Sequence, residues 1–411
     1  MKKRYLLLWA IICILARVKG QEGRSTEILP GSARVNVYVP LLKNKSVAVF
    51  ANQTSVVGKL HLVDLLISQG VVVKKIFAPE HGFRGAGDAG ESMGNGIDSA
   101  TGIQVISLYG QKVKPTAEDL KDVDVLIFDI QDVGVRFYTY ISSLQRFMEA
   151  AFENHKPLLI LDRPNPNGFY VDGPILDRKF ASFVGMQPVP VVYGMTIGEY
   201  AMMIAGEQWL SEKANETYRY YRSAKNSADT PFHFLVIKCA NYSHSSRYML
   251  PVNPSPNLRN MQAIYLYPSL CFFEGTAVSL GRGTDKPFEQ FGHPSLPKNL
   301  YHFFPQSSPG AKNPPLSNQV CYGFDLSQID IQKEIDNHLQ LKWLLKAYEL
   351  FPQKDDFFLS SKFFDKLAGS EDLMREIVEG KTEAEIRKGW QGALSDFKKI
   401  RKKYLMYTDF D

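Results

Sequence analysis

The sequence predicts an α/β protein: a parallel sheet covered by helices on both faces, followed by a second region of different texture. Three observations carry this. Short apolar strands recur with helical stretches between them. Those strands are nearly continuous in apolar residues rather than alternating, the pattern of strands buried on both sides. Glycine and proline then thicken at RPNPNG, DGP and QPVPVVYG, so that residues 165–190 read as a crossover out of the alternating part.

In chain order, Ser46–Asn52 (SVAVFAN) is the first strand, and His61–Gly70 is a helix closed by its glycine. Val71–Pro79 (VVVKKIFAP) is a β-branched strand, Gly102–Gly110 (GIQVISLYG) a third, and Val123–Asp132 (VDVLIFDIQD) the most apolar of the set. Thr139–Lys156 is a helix, because Ile141, Leu144, Met148, Ala151 and Phe152 recur at three- and four-residue steps. Pro157–Pro164 (PLLILDRP) is the fifth strand. Thr196-x-x-Glu199 is a capping box that opens a helix ending near Leu210. Residues 211–330 read as irregular, with one strand at Phe234–Lys238, and residues 332–350 as a helix. Thr382-x-x-Glu385 caps a last helix with Ile386, Trp390, Leu394, Phe397 and Ile400 on one face; Lys398, Lys399, Arg401, Lys402 and Lys403 read as its solvated side.

The chain has 411 residues, 45% hydrophobic and 22% charged, enough for a large core and two domains. The net charge of +5 comes from Lys2, Lys3, Arg4, Arg17 and Lys19; the remaining 43 basic residues balance 43 acidic ones, so no nucleic-acid partner is expected. Those early charges flank an apolar run, Tyr5 to Ala16, short for spanning a bilayer and suited to a secretory signal, with cleavage expected before Gln21; a membrane anchor is the alternative. After cleavage no membrane partner is expected, and the location is periplasmic or secreted. Cys239, Cys271 and Cys321 then remain, without CxxC spacing, and read as buried free thiols; no metal and no cofactor is expected.

In open α/β sheets ligands bind at the carboxyl ends of strands, and each strand here ends in polar chemistry. The first ends at Asn52, the second at Pro79-Glu80-His81-Gly82-Phe83-Arg84, the third at Tyr109. The fourth ends at Asp129-Ile130-Gln131-Asp132, followed by Arg136, Tyr138 and Tyr140, and the fifth at Asp162-Arg163. No GxGxxG follows a strand, and there is no P-loop or GxSxG elbow, so dinucleotide, kinase-like and serine-hydrolase readings lose ground. Pro79 and Gly82 hold Glu80 on a tight turn, where a carboxylic acid can protonate a leaving oxygen, with Phe77 and Phe83 as its apolar wall. The alternative is an ion pair between Glu80 and Arg84. Glu80, His81, Asp129 and Asp132 form the candidate catalytic set; the structural alternative pairs Asp129 or Asp132 with Arg136 or with a helix N-terminus. Asn52, Arg84, Tyr109, Arg136, Tyr138 and Arg163 are candidate substrate ligands, since arginine binds carboxylates in a fork and tyrosine packs on sugar faces. A later cluster adds Glu274, Arg282 and Asp285, with an Arg282–Asp285 turn pair as the alternative. Asn253 to Leu258 reads as a rigid loop able to wall a cleft.

Seven stretches resemble a known family: FAPEHGFRG (77–85), SLYG (107–110), DIQDVGVRFYTY (129–140), LDRPNPNG (161–168), PVVYGMTIGEY (190–200), PSPNL (254–258) and FFEGTAVSLGRGTDKPFEQFG (272–292). The chain resembles the bacterial exo-acting β-N-acetylmuramidases, formerly a domain of unknown function, from about residue 40 to its end. The resemblance implies a Rossmann-like domain and a smaller α+β domain with the cleft between them. This divides the chain into a signal peptide (1–20), a Rossmann-like catalytic domain (21–180) and a C-terminal domain completing the cleft (181–411). It implies release of terminal N-acetylmuramic acid from peptidoglycan fragments in cell-wall recycling, with a peptidoglycan-derived oligosaccharide or muropeptide as partner, and it places the catalytic acid on Glu80. The sugar's lactyl carboxylate then has Arg84, Arg136 and Arg282 as available ligands. Two rival readings are a metal-assisted esterase or amidase using Glu80, His81, Asp129 and Asp132, and a periplasmic muropeptide-binding protein.

Overall fold

The apolar runs become a seven-stranded sheet, six strands parallel and one short edge strand antiparallel. The computed structural model describes residues 26–84, 94–225 and 230–410. The expected signal segment lies outside the described residues. The parallel strands are β1 (Ser46–Ala51), β2 (Val72–Ala78), β3 (Gln104–Ser107), β4 (Val125–Asp129), β5 (Leu158–Leu161) and β6 (Phe234–Ile237), with Gly96–Ile97 on the edge beside β3. Their order, β3-β2-β1-β4-β5-β6, is the doubly wound Rossmann order, in which the strand order reverses between β1 and β4. The strand expected at Phe234–Lys238 forms at Phe234–Ile237, pairs with Leu158–Leu161 and extends this sheet.

The burial of both faces is visible residue by residue. Val47, Val49 and Ala51 join one core with Ile76, Ile127 and Leu159; Ala48 and Phe50 join the other with Phe77, Phe128 and Ile160. This is the two-residue period of a strand packed on both sides. Helix α1 (Leu62–Ser68) covers the first face, while α2 (Tyr140–Glu153) and α3 (Ile197–Gly206) cover the second. Phe77, Phe50 and Phe128 sit side by side on three adjacent strands, and Phe147 of α2 stacks on Phe50 at 5.1 Å.

The second core runs without a break into the C-terminal domain, where β7 (Gln290–His293), β8 (Tyr301–Phe303) and β9 (Cys321–Asp325) form a small antiparallel sheet in the order β7-β9-β8. The region read as irregular also holds α4 (Glu212–Ser223) and α5 (Met261–Leu270). The helix expected over 332–350 is two, Ile331–Ile335 and α6 (Lys342–Leu350), because Asp336 and Asn337 adopt left-handed backbone, φ +38° and +56°. Both predicted capping boxes form, at Thr196 and at Thr382, and the latter opens α7 (Glu383–Lys402). Arg401 is not on the solvated side of α7: it is 2% exposed, donates to the Gly194 carbonyl and pairs with Asp409. The three cysteines are free and buried.

Phe147 joins the helix layer to three strands at once. Phe147→Ala is therefore expected to cost about 3–5 kcal/mol of stability, read by urea unfolding; a loss under about 1 kcal/mol would mean that the aromatic cluster can collapse around the gap.

Candidate active site

Glu80 leaves the sheet on a turn its neighbours enforce. Pro79 closes β2, the Gly82 N–H donates to the Pro79 carbonyl at 3.0 Å, and His81 and Gly82 are both left-handed, φ +68° and +76°. Glycine takes this conformation freely, whereas a side chain such as that of His81 pays about 1–2 kcal/mol for it. Burial offsets that strain: His81 is 6% exposed, and Phe83 packs edge-on against His61 at 4.7 Å. Phe77 and Phe83 are thus core residues, not the wall expected beside the acid. Glu80 is half-buried, and its neighbours are polar or aromatic. The Thr139 hydroxyl donates to Oε2 at 3.4 Å, at the N-terminus of α2, where the helix dipole favours a carboxylate. Tyr109, just past β3, also bonds to Glu80; burial, reinforced by the Glu80 charge, holds its phenol well above the usual range, so it stays a neutral donor.

Tyr138 and Tyr140 extend this wall, packed edge-to-face at 4.8 Å. Tyr138 donates to the Pro254 carbonyl at 2.8 Å, and Asn52 Nδ2 donates to the Tyr140 hydroxyl at 2.9 Å. The opposite wall comes from the C-terminal domain. It is built from Tyr267 of α5, Glu274, Arg282, Phe288, the loop from Gly310 to Pro315, and Phe363. Ser255 and Leu258 of the 253–258 loop close one side, and Asn257 braces that loop by donating to the Gly310 carbonyl at 2.8 Å. Between the walls lies a cavity of about 650 Å³, in the range of a small-ligand site. A mainly apolar cavity of about 550 Å³ adjoins it, sharing Glu274, Arg282, Pro315 and Phe363.

Of the residues singled out in the sequence, the structure brings together Glu80, His81, Tyr109, Tyr138, Tyr140, Glu274 and Arg282. The others are used elsewhere. Asp129 and Arg163 end neighbouring strands and meet in a closed fork, Nε to Oδ1 at 2.6 Å and Nη2 to Oδ2 at 2.8 Å, with side chains 0% and 1% exposed. Asp132 is 5% exposed and accepts from the Gly134 N–H at 2.7 Å and from the Tyr193 hydroxyl; burial pushes its carboxyl up to about 6. Such a shift often marks a functional acid, but this one is sealed from the cavity. Arg136 pairs with neither aspartate: it is fully buried and donates to the carbonyls of Pro174, Val189, Leu367 and Ala368 at 2.7–2.8 Å. Arg84 pairs with Asp98 instead of Glu80, at 2.7 Å. Asn52 does not line the cavity and reaches it through its hydrogen bond to the Tyr140 hydroxyl. Asp285 is exposed on its turn, and Arg282 bonds to Glu274 in its place. The ligand set of the metal-assisted rival is consequently not assembled: Asp129 and Asp132 do not share the cavity with Glu80 and His81, and among the described residues no three His, Cys, Asp or Glu side chains group as metal ligands.

Sequence reading missed Thr139, Tyr267, Lys312, Asn313 and Phe363. Asn313-Pro314-Pro315 carries the same rigid Asn-Pro signature that singled out Asn253-Pro254, so that part of the wall was legible in principle. Phe363 and Tyr267 carry no signal that separates them from core aromatics.

Residues 47–262 match the family model described as exo-β-N-acetylmuramidase NamZ, N-terminal, and residues 265–407 the model described as its C-terminal part. The chain is 37% identical over 387 residues to the peptidoglycan β-N-acetylmuramidase NamZ of Bacillus subtilis (strain 168), covering 90% of this chain and 89% of that one. Two crystal structures of DUF1343 family proteins from Bacteroides fragilis NCTC 9343 are similar in fold. One has a TM-score of 0.82 at 45% identity and the other 0.75 at 28%; each match covers 93% of this chain and 99% of the other.

Two outcomes test the sealed residues. Asp129→Asn leaves Arg163 buried without its counter-charge and is expected to cost about 3–5 kcal/mol in denaturant unfolding; unchanged stability would mean that the pair is open to water. Asp132 holds its proton to higher pH in the fold than its ordinary value of 3.8. Its contribution to stability is therefore complete below that value and is lost as pH rises through about 6. Asp132→Asn should remove that part of the decline in a series of unfolding curves between pH 4 and 7, windows set by the same shift.

Proposed function

The chain belongs to the exo-β-N-acetylmuramidase NamZ family of glycoside hydrolases, and on that premise we propose that it releases terminal β-linked N-acetylmuramic acid from the non-reducing end of peptidoglycan fragments, with Glu80 as the general acid. The observation that carries the assignment is the sorting of carboxylates: Asp129 and Asp132 are sealed in the fold, whereas Glu80 lines the cavity.

The sugar lies between Glu80 and the aromatic side chains of the opposite wall, where Tyr267 and Phe288 offer apolar surface to a ring face. Protonated Glu80 gives its proton to the glycosidic oxygen as that bond to the anomeric carbon breaks; a water oxygen ends on the anomeric carbon and the proton that water releases restores Glu80, so that N-acetylmuramic acid and the shortened fragment are the products. The carboxylate left behind keeps the Thr139 hydroxyl and the Tyr109 phenol as donors, so the charge that develops on Glu80 is met by groups already in place. The other cavity carboxylate, Glu274, is engaged by Arg282 and is not beside Glu80 as a bonded partner. A periplasmic or secreted location follows from the signal pattern at the start of the sequence.

Glu80→Gln is expected to lower kcat by about 10²–10⁴-fold on a disaccharide with a sugar leaving group. The loss should be smaller on 4-nitrophenyl β-N-acetylmuramide, whose phenolate departs without a proton. Chromatography of the released N-acetylmuramic acid reads the first and absorbance the second. Undiminished turnover of the disaccharide would show that Glu80 is not the acid.

A further inference from the structure

Arg282 is half used. A guanidinium presents two hydrogen-bonding edges. Glu274 Oε1 occupies the inner one, accepting from Nε at 3.0 Å and from Nη2 at 2.5 Å. The end-on edge, formed by Nη1 and the second N–H of Nη2, is the one that grips a carboxylate in a two-bond fork. Nη1 is buried and has no hydrogen-bond partner among the described residues. A buried donor left unpaired is costly and calls for an explanation.

The surroundings hold this arginine in place. Gly281 and Gly283 on either side are left-handed, φ +71° and +79°, and a Cβ there would lie 2.6 Å from the Gln290 side chain and 2.3 Å from the Gln306 carbonyl. Phe288 is also left-handed, φ +60°, and its ring lies 4.9 Å from the Arg282 Cζ. Residues kept in strained backbone at a cavity wall are a mark of a preorganised site. Glu274 neutralises the inner edge, and Lys312 adds a second cation to the same wall, so an anionic ligand entering the cavity does not face an excess of negative charge.

We infer that Arg282, positioned by Glu274, is the specificity residue that reads the lactyl carboxylate of the muramyl unit, using its Nη1–Nη2 edge. This rests on the muramidase reading and deepens it: the hydrolytic machinery at Glu80 serves any β-linked N-acetylhexosamine, and Arg282 selects the one that bears an acid. Of the three arginines that the sequence offered for that task, Arg136 is committed to four carbonyls and Arg84 to Asp98.

The test compares 4-nitrophenyl β-N-acetylmuramide carrying a free lactyl carboxylate with its lactyl carboxamide. The unmodified enzyme should favour the acid by about 10- to 100-fold in kcat/KM, most of it in KM, the range of a charged hydrogen bond. Arg282→Met should bring the acid-to-amide ratio close to one, and Glu274→Gln should lower it partly by freeing the arginine. Lys312→Met removes a cation from the wall but leaves the Arg282 fork in place, so it should lower the ratio less than Arg282→Met does. Equal use of acid and amide by the unmodified enzyme would overturn the proposal even if Arg282→Met does not fold. So would a ratio that survives in Arg282→Met or disappears in Lys312→Met. Hydrolysis of muramide in preference to glucosaminide together with any of these results would leave the muramidase reading standing and remove only the role of Arg282; absence of any muramide hydrolysis would remove both.

Discussion

Arg136 sets the geometry on which the cavity depends. Its guanidinium is fully buried, has no acidic partner among the described residues, and is solvated by four carbonyls instead of water. Two of those carbonyls, Leu367 and Ala368, belong to the C-terminal domain, and a Cβ at Gly369 would lie 2.9 Å from Nη2, so the approach leaves no slack. Burial pushes Arg136 down to about 9, still above neutral pH, so the cation persists and the carbonyls must stay where they are. Tyr138 and Tyr140 follow within four residues, and their contacts to the Pro254 carbonyl continue the same tie across the molecule. One wall of the cavity is thereby held at a fixed distance from the other.

The centre of the sheet is closed and its flank is open. In a doubly wound sheet the crevice is expected where the strand order reverses, here between β1 and β4. In this chain Asp129 is locked to Arg163 there, and Asn52 supports Tyr140 from below. The accessible chemistry lies one and two strands away, after β2 and β3, where Glu80 and Tyr109 emerge beside the first turn of α2. The buried fork and the working acid are thus neighbours with opposite roles, one giving rigidity and the other exposure.

Backbone strain gathers on both walls. His81 beside Glu80, and Phe288 beside Arg282, are side-chain-bearing residues in left-handed conformation. Each is buried, at 6% and 1% exposure, so that packing holds what local preference would release. The acid and the arginine are presented by turns that cannot relax without unpacking a core.

Much of this protein was legible in its residues, because the signals concerned are local. Continuous apolar runs gave the strands of the sheet. Side chains three residues apart gave the capping boxes at Thr196 and Thr382, and Pro79 with Gly82 gave the Glu80 turn. The apolar spacing over 332–350 hid the break at Asp336 and Asn337, although both are weak helix formers that enter left-handed backbone more readily than most residues. Nor could it sort the arginines: Arg84, Arg136, Arg163, Arg282 and Arg401 are chemically alike, and their fates differ through partners chosen across the fold, 231 positions apart for Arg136 and Leu367 and 207 for Arg401 and Gly194. Which carboxylate meets solvent and which is neutralised in the core is decided by that long-range packing, because burial and counter-charge are properties of the folded surroundings and not of the residue.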